Sequence, residues 1–166
     1  MATSAETLSV TDMLPNKFEP KRKHRWIFSI EGIDAFLIKT AGRPTFTMPD
    51  KAIPWINTTR YISGKMTFNT INVNLHDPIA PSGAQQVMEW IRTHHESVSG
   101  RSGYADFYKR DCQLKMLDPI GTVVELWDMK GCFLTNVDYG SLDYNEDAGS
   151  MDIQLTIRFD NCVLQY

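Results

Sequence analysis

The sequence predicts a mainly β protein, an antiparallel sandwich or barrel-like subunit with one flanking α-helix at about residues 82–97. Three observations carry this. Residues 151–163 alternate cleanly, with Met151, Ile153, Leu155, Ile157 and Phe159 against Asp152, Gln154, Thr156, Arg158 and Asp160, the period of a strand with one buried face. Residues 65–76 repeat the pattern, with Ile71, Val73 and Leu75 against Thr70, Asn72, Asn74 and His76. Helical spacing is sustained only around SGAQQVMEWIRTHHES, where Ala84, Val87, Met88, Ile91 and His95 recur at three- and four-residue intervals between Pro81 and Gly100.

Taken in order, residues 1–20 hold Pro15 and Pro20 and show no sustained period, which reads as an N-terminal arm. The remainder, 21–166, reads as a single domain, and a chain of 166 residues is long enough for one core without metals or disulfides. Trp26, Phe28 and Ile30 alternate, Gly32 punctuates, and Ala35 to Thr40 follows, predicting a hairpin. Residues 41–64 contain Pro44, Pro49 and Pro54, each lacking a backbone donor, and read as a projecting loop with a short strand near Thr58 to Ile62. Beyond the helix, strands are expected at about 105–118, 122–130, 133–139 and 151–163, with a turn at Pro119-Ile120-Gly121.

Charge excludes one class of function. Seventeen Lys and Arg against twenty Asp and Glu leave a net charge of −3, unlike a protein that grips phosphates with clustered cations. Two clusters stand out: Lys21, Arg22, Lys23 and Arg25 surround His24, and the connector DYNEDAGSMD carries Asp143, Glu146, Asp147 and Asp152 with no base. Complementary blocks of this kind set register between identical subunits. Nothing points to catalysis: there is no G-x-S-x-G, no Gly-rich phosphate loop and no H-E-x-x-H, so neither catalytic residues nor a metal or other cofactor is expected. His94 and His95 are adjacent on a helix and point about 100° apart, which does not suit one metal ion. Cys112, Cys132 and Cys162 lie too far apart for a C-x-x-C pair and read as reduced thiols. No export signal and no apolar run of membrane-spanning length is visible, so insertion of the subunit into a membrane is not expected.

The order and spacing of these segments resemble the tail tube proteins of contractile-tailed, T4-like bacteriophages. HRWIFSIEGIDAFLIKTAGRP is similar to that family's opening aromatic strand, Gly turn and second strand leading to Pro. MTFNTINVNLHD followed by AQQVMEWI resembles its strand and helix, and KGCFLTNVDYGSLDYNEDAGSMDIQLTIRFDN its C-terminal unit, with Leu134 departing from the usual Pro. The resemblance implies hexameric rings, joined by sheet into one barrel and stacked into a tube through which a phage genome passes. It also implies partners: other copies of the chain, a sheath, a baseplate tube initiator, a tail terminator and a tape measure protein, with only transient passage of DNA. The setting it implies is a virion tail assembled in the host bacterium's cytoplasm. Arg43, Pro49, Pro54, Trp55, Arg60 and Tyr61 are then candidates for the ring-stacking loop. Thr70, Asn72, Asn74, Asp152, Gln154, Thr156 and Arg158 are candidates for the lumen face, with Asp152 or Asp160 expected to screen Arg158 if it faces inward. Two other readings stand beside this one: a secretion-system (Hcp-like) tube protein, and a β-barrel that binds a small ligand.

Overall fold

Alternating apolar residues build the centre of the molecule, which a computed structural model describes for residues 14, 18–145 and 149–166. Strand β7 (Ile71–His76) buries Ile71, Val73 and Leu75, and β10 (Asp152–Arg158) buries Ile153, Leu155 and Ile157. The two pair antiparallel with Leu155 opposite Val73, so all six side chains share one face. Strand β9 (Val123–Asp138) is 16 residues long and serves two half-sheets. Its first part lies between β8 (Arg110–Leu117) and β11 (Asn161–Leu164), and its second part pairs with β10. Outermost are β1 (Trp26–Ile30) on β8 and β2 (Ile38–Ala41) on β7, giving the order β1-β8-β9-β10-β7-β2.

The bend in β9 falls at Gly131, whose φ of +67° is unfavourable for any residue with a Cβ. A Cβ there would also lie 2.4 Å from the Asp160 carboxylate. Across from it the partner chain turns as well, since Phe159 and Asp160 separate β10 from β11. The Asp160 amide donates to the Lys130 carbonyl at 3.0 Å and keeps the two bends in step.

Helix α1 (Gly83–His94) closes the core by burying Val87 and Trp90. Its start is well capped: the Ser82 hydroxyl accepts from the Gln85 amide, and the Asp77 carboxylate accepts from the Ala84 amide at 3.1 Å. A Cβ at Gly83 would meet the His76 carbonyl at 2.8 Å, so glycine lets the helix sit directly on the end of β7. The Trp90 indole is 1% exposed and donates to the Tyr108 carbonyl at 2.7 Å, tying α1 to the short helix α2 (Ala105–Tyr108).

Several expectations need correction. The first two strands are not a hairpin: only Ile30 and Ile33 bridge, because Ile33 and Leu37 dive into the core and a 3-10 turn at Ala35–Leu37 sends β2 to the opposite half-sheet. The segment expected as one strand at 105–118 begins as α2, and the strands at 122–130 and 133–139 are a single bent β9. The strand expected at 151–163 is divided into β10 and β11, and that at 65–76 into the short β6 (Thr67–Phe68) and β7. Helix α1 stops at His94, three residues early, where His95 turns to extended backbone and bridges Ser102. Of the N-terminal arm only Leu14 and residues 18–20 fall within the described residues, and all are exposed.

Trp90→Ala should lower the unfolding free energy by about 3–5 kcal/mol through the cavity and the orphaned Tyr108 carbonyl. Urea titration followed by circular dichroism checks this, and Trp90→Phe, which retains most of the volume, should lose far less.

Candidate assembly interface

Most of the segment expected as a loop at 41–64 belongs to a freestanding ribbon of residues 46–68. Strand β3 (Phe46–Thr47) pairs with β6 at its root, and β4 (Asp50–Trp55) pairs with β5 (Thr58–Ser63) toward its tip. The three prolines exclude a central strand but not this ribbon, because each of its strands has one free edge where a missing donor goes unnoticed. Pro54 pairs in register with Thr59, and the Pro49 carbonyl accepts from the Gly64 amide at 2.6 Å. At the tip Ile56 has a φ of +44°, a strained conformation for a β-branched residue.

Every residue of β4 and β5 is exposed. The register puts Ile53, Trp55 and Ile62 on one face beside Lys51 and Arg60, and Ala52, Pro54 and Tyr61 on the other. A two-stranded hairpin is marginal in water, and this one offers large apolar groups on both sides. Pro49, Pro54, Trp55, Arg60 and Tyr61 therefore gather on one projecting element, whereas Arg43 turns away from it.

A second surface is the outer face of β7 and β10. Pairing sets Asp152 opposite His76, Gln154 opposite Asn74 and Thr156 opposite Asn72, and β9 extends the row with Asn136 and Asp138. Thr70, exposed, immediately precedes β7. The face is mostly amide and hydroxyl, with the Thr156 hydroxyl donating to the Asn72 side-chain oxygen at 3.2 Å. Its charge at one end is internally balanced: Asp152 holds Lys39 and lies 3.3 Å from His76, and the hydrogen bond from Lys39 holds its carboxyl below the usual value. Arg158 makes no ion pair among the described residues. Asp152 is six residues away along the strand, about 20 Å, and Asp160 is paired with Lys109.

The third feature was missed in the sequence. Glu125, 4% exposed, is the one buried charged residue among those described. It accepts hydrogen bonds from Lys21, from Arg43 and from the Trp127 indole, and the Arg43 guanidinium stands 5.9 Å over the Trp127 ring. Burial pushes the Glu125 carboxyl up, but the three donors outweigh it and hold the group below the ordinary glutamate value. The clue was available in TVVELWDMK, where a carboxylate occupies an inward position between Val123 and Trp127. Of the basic block, Lys21 is thus turned onto its own chain, and Arg22 lies 3.8 Å from Glu19. Lys23 and Arg25 make no ion pair among the described residues, and the Arg25 carbonyl accepts from the Leu117 amide at 3.0 Å. In the acidic connector Asp143 is exposed and closes a local turn with Asn145, while Glu146 and Asp147 lie outside the described residues.

No protein-family model and no curated protein sequence matches the chain. Solved structures do. A chain of the anti-feeding prophage cap, the tube-terminating cap, superposes with a TM-score of 0.72 at 17% identity over 99% of both chains. A chain of the sheath/tube terminator of an extracellular contractile injection system, PVC, in its extended state, gives 0.71 at 14% identity over 90% of this chain and 99% of that one. Hcp1 from Flavobacterium johnsoniae is more distant, at 0.50 and 8% identity over 85% of this chain and 94% of its own. The chain carries the tail-tube fold. That fold is common to contractile injection components and is not particular to T4-like phages.

The thiols add no chemistry to this tail-tube fold. Cys112 and Cys132 are buried and Cys162 is half-buried, all free. A hydrogen bond to Cys132 together with burial raises the Cys112 thiol well above its usual value, and burial pushes Cys162 up to about 11. Cys112 and Cys162 are therefore not ready nucleophiles near neutral pH. No group of three His, Cys, Asp or Glu among the described residues could hold a metal ion.

Because the folded Glu125 carboxyl titrates below the unfolded one, its stabilisation is complete above about pH 4.3, the ordinary glutamate value, and is lost as pH falls through the folded value. Glu125→Gln should therefore flatten the acid limb of the stability curve and lower stability at neutral pH by about 1.5–3 kcal/mol. Denaturant titrations between pH 3 and 7 test both effects.

Proposed function

We propose that this chain is a structural virion protein whose hexameric rings stack into the inner tail tube of a contractile-tailed phage, the conduit for its genome. The observation that carries this reading is the β4–β5 ribbon, exposed along its whole length and apolar on both faces, standing on a tail-tube fold. Such a ribbon is suited to be held between neighbours, and a stacked tube supplies neighbours above and below. Ring-to-ring contact is heterologous and does not close, so it propagates a filament whose length other components must set.

The remaining surfaces fit the same role. Among the described residues, strands β1 and β2 each have a free edge, and joining edges between subunits removes a liability that a lone sheet would retain. The amide and hydroxyl face of β7 and β10 gives a lumen wall with few phosphate anchors, consistent with passage of DNA without retention. Asn72, Asn74, Gln154, Thr156 and Arg158 would line that wall, with Thr70 and Asp152 at its margins. A sheath, a baseplate initiator, a terminator and a tape measure protein are the partners such a tube requires, and the first three agree with the sheath, baseplate and terminator assemblies in which its structural neighbours occur. Assembly in the bacterial cytoplasm and residence in the virion follow from the same reading.

A ligand-binding barrel is disfavoured because Val73, Leu75, Val87 and Ile157, all fully buried, fill the space between sheet and helix. A secretion-type tube shares the ring geometry and differs in cargo.

Electron microscopy of the purified protein should show rings and tubes; a monomer at high concentration in every buffer would sink the proposal. Trp55→Ala should leave the circular dichroism spectrum unchanged and reduce tube length or yield. Normal tubes from that variant would remove the ribbon from the stacking role.

A further inference from the structure

Above the row Trp26, Met116 and Glu125, which crosses β1, β8 and β9, the chain leaves an open cleft of about 470 Å³. Lys21, Arg22, Lys23 and Arg43 border it, and Trp26 and Met116 lie among the apolar groups of its floor. A volume of this size falls within the range of sites that take a peptide side chain or small ligand. Among the described residues, Glu125 and Glu19 answer two of the four cations, leaving an excess of two positive charges. The Lys21 and Arg43 side chains are half-exposed while held on Glu125, so their positions are set before any partner arrives.

The same chain carries a segment of matching chemistry. In the connector between β9 and β10, Leu142 and Tyr144 are almost fully exposed on either side of the exposed Asp143. Large apolar side chains flanking a carboxylate suit an apolar floor with a cationic rim. The two surfaces lie at opposite ends of β7. Asp152, where the connector ends, pairs with His76 at one end, and the Gly42 amide, next to Arg43, bonds the Asn72 carbonyl at 2.9 Å near the other. The match therefore serves contact between copies.

We propose that the Leu142-Asp143-Tyr144 segment of one copy docks in the Lys21, Arg22, Lys23 and Arg43 cleft of the next. The contact is heterologous, with different patches on the two copies, and repeats head to tail around a ring. It rests on the ring-forming role proposed above and names the surfaces that set its register. Charge complementarity selects the partner, and burial of Tyr144 over Trp26 holds it.

Charge reversal tests this without touching the core. Arg22→Glu with Lys23→Glu reverses the rim, and Asp143→Lys reverses the charge of the docking segment Leu142-Asp143-Tyr144; each variant alone is expected to lose about tenfold or more of its assembled fraction. Mixed in equal amounts, the two should co-assemble, because alternating copies place residue 143 of every copy against a cleft of opposite sign. Sedimentation velocity and negative-stain micrographs give the readout, with circular dichroism confirming the fold. Asp143→Asn, which retains an acceptor for the Asn145 turn, should show an intermediate loss. If either reversed variant assembles like the wild type, or if the mixture assembles no better than its components, the contact is wrong while the tube reading stands on the wild-type rings. If the wild type itself forms no rings, the tube reading fails, and this contact fails with it.

Discussion

The architecture depends on one long ladder, β9 against the successive strands β10 and β11. Its register runs from Gln154 opposite Asp138 to Leu164 opposite Trp127, so one pair of chains passes through both half-sheets. Everything else is hung on it: β8 and β1 on one flank, β7 and β2 on the other, and α1 across the buried face. The ladder can bend without breaking because Gly131 accepts a positive φ where Phe159 and Asp160 interrupt the partner. A side chain at that position would strain both halves together.

A fold built this way separates rigid from available surface. The apolar faces of β7 and β10 are closed by Val87 and Trp90, and their outer faces carry amides and hydroxyls that need no partner. The β4–β5 ribbon is the reverse case. It has local backbone pairing but no core, and its stability must come from what it touches. Between them stands Glu125, which fastens the segment ahead of β1 and the root of the ribbon to β9 by charge-assisted bonds. A buried carboxylate without those cations would be costly, so the cluster places Lys21 and Arg43 as firmly as it stabilises them.

Much of this was legible before any coordinates. The strands at Ile71–His76 and Asp152–Arg158 and the helix with its N-terminus all follow from period and punctuation. The errors share a cause. The pairing of Trp26–Ile30 with β8 instead of with its sequence neighbour, the merging of two strands into β9 and the inward turn of Lys21 and Arg43 are all non-local. Alternation reports which face of a strand is buried and is silent about which strand lies beside it. A proline reports a missing donor and cannot tell a loop from a ribbon whose edge is free.

What the sequence by itself determined is the local chemistry: a β-rich chain of slight negative charge, with apolar and polar residues already sorted onto opposite faces and two charge blocks of opposite sign. That sorting is intrinsic, because side-chain direction follows from backbone period alone. Only the tertiary structure decided that Glu125 lies under the basic block, that the proline-rich segment stands out as a paired ribbon, and that cleft and connector occupy opposite ends of one strand. Glu125 meets Arg43 and Lys21 from 82 and 104 positions away, and such neighbours are chosen by the closing of the core, which no local pattern encodes.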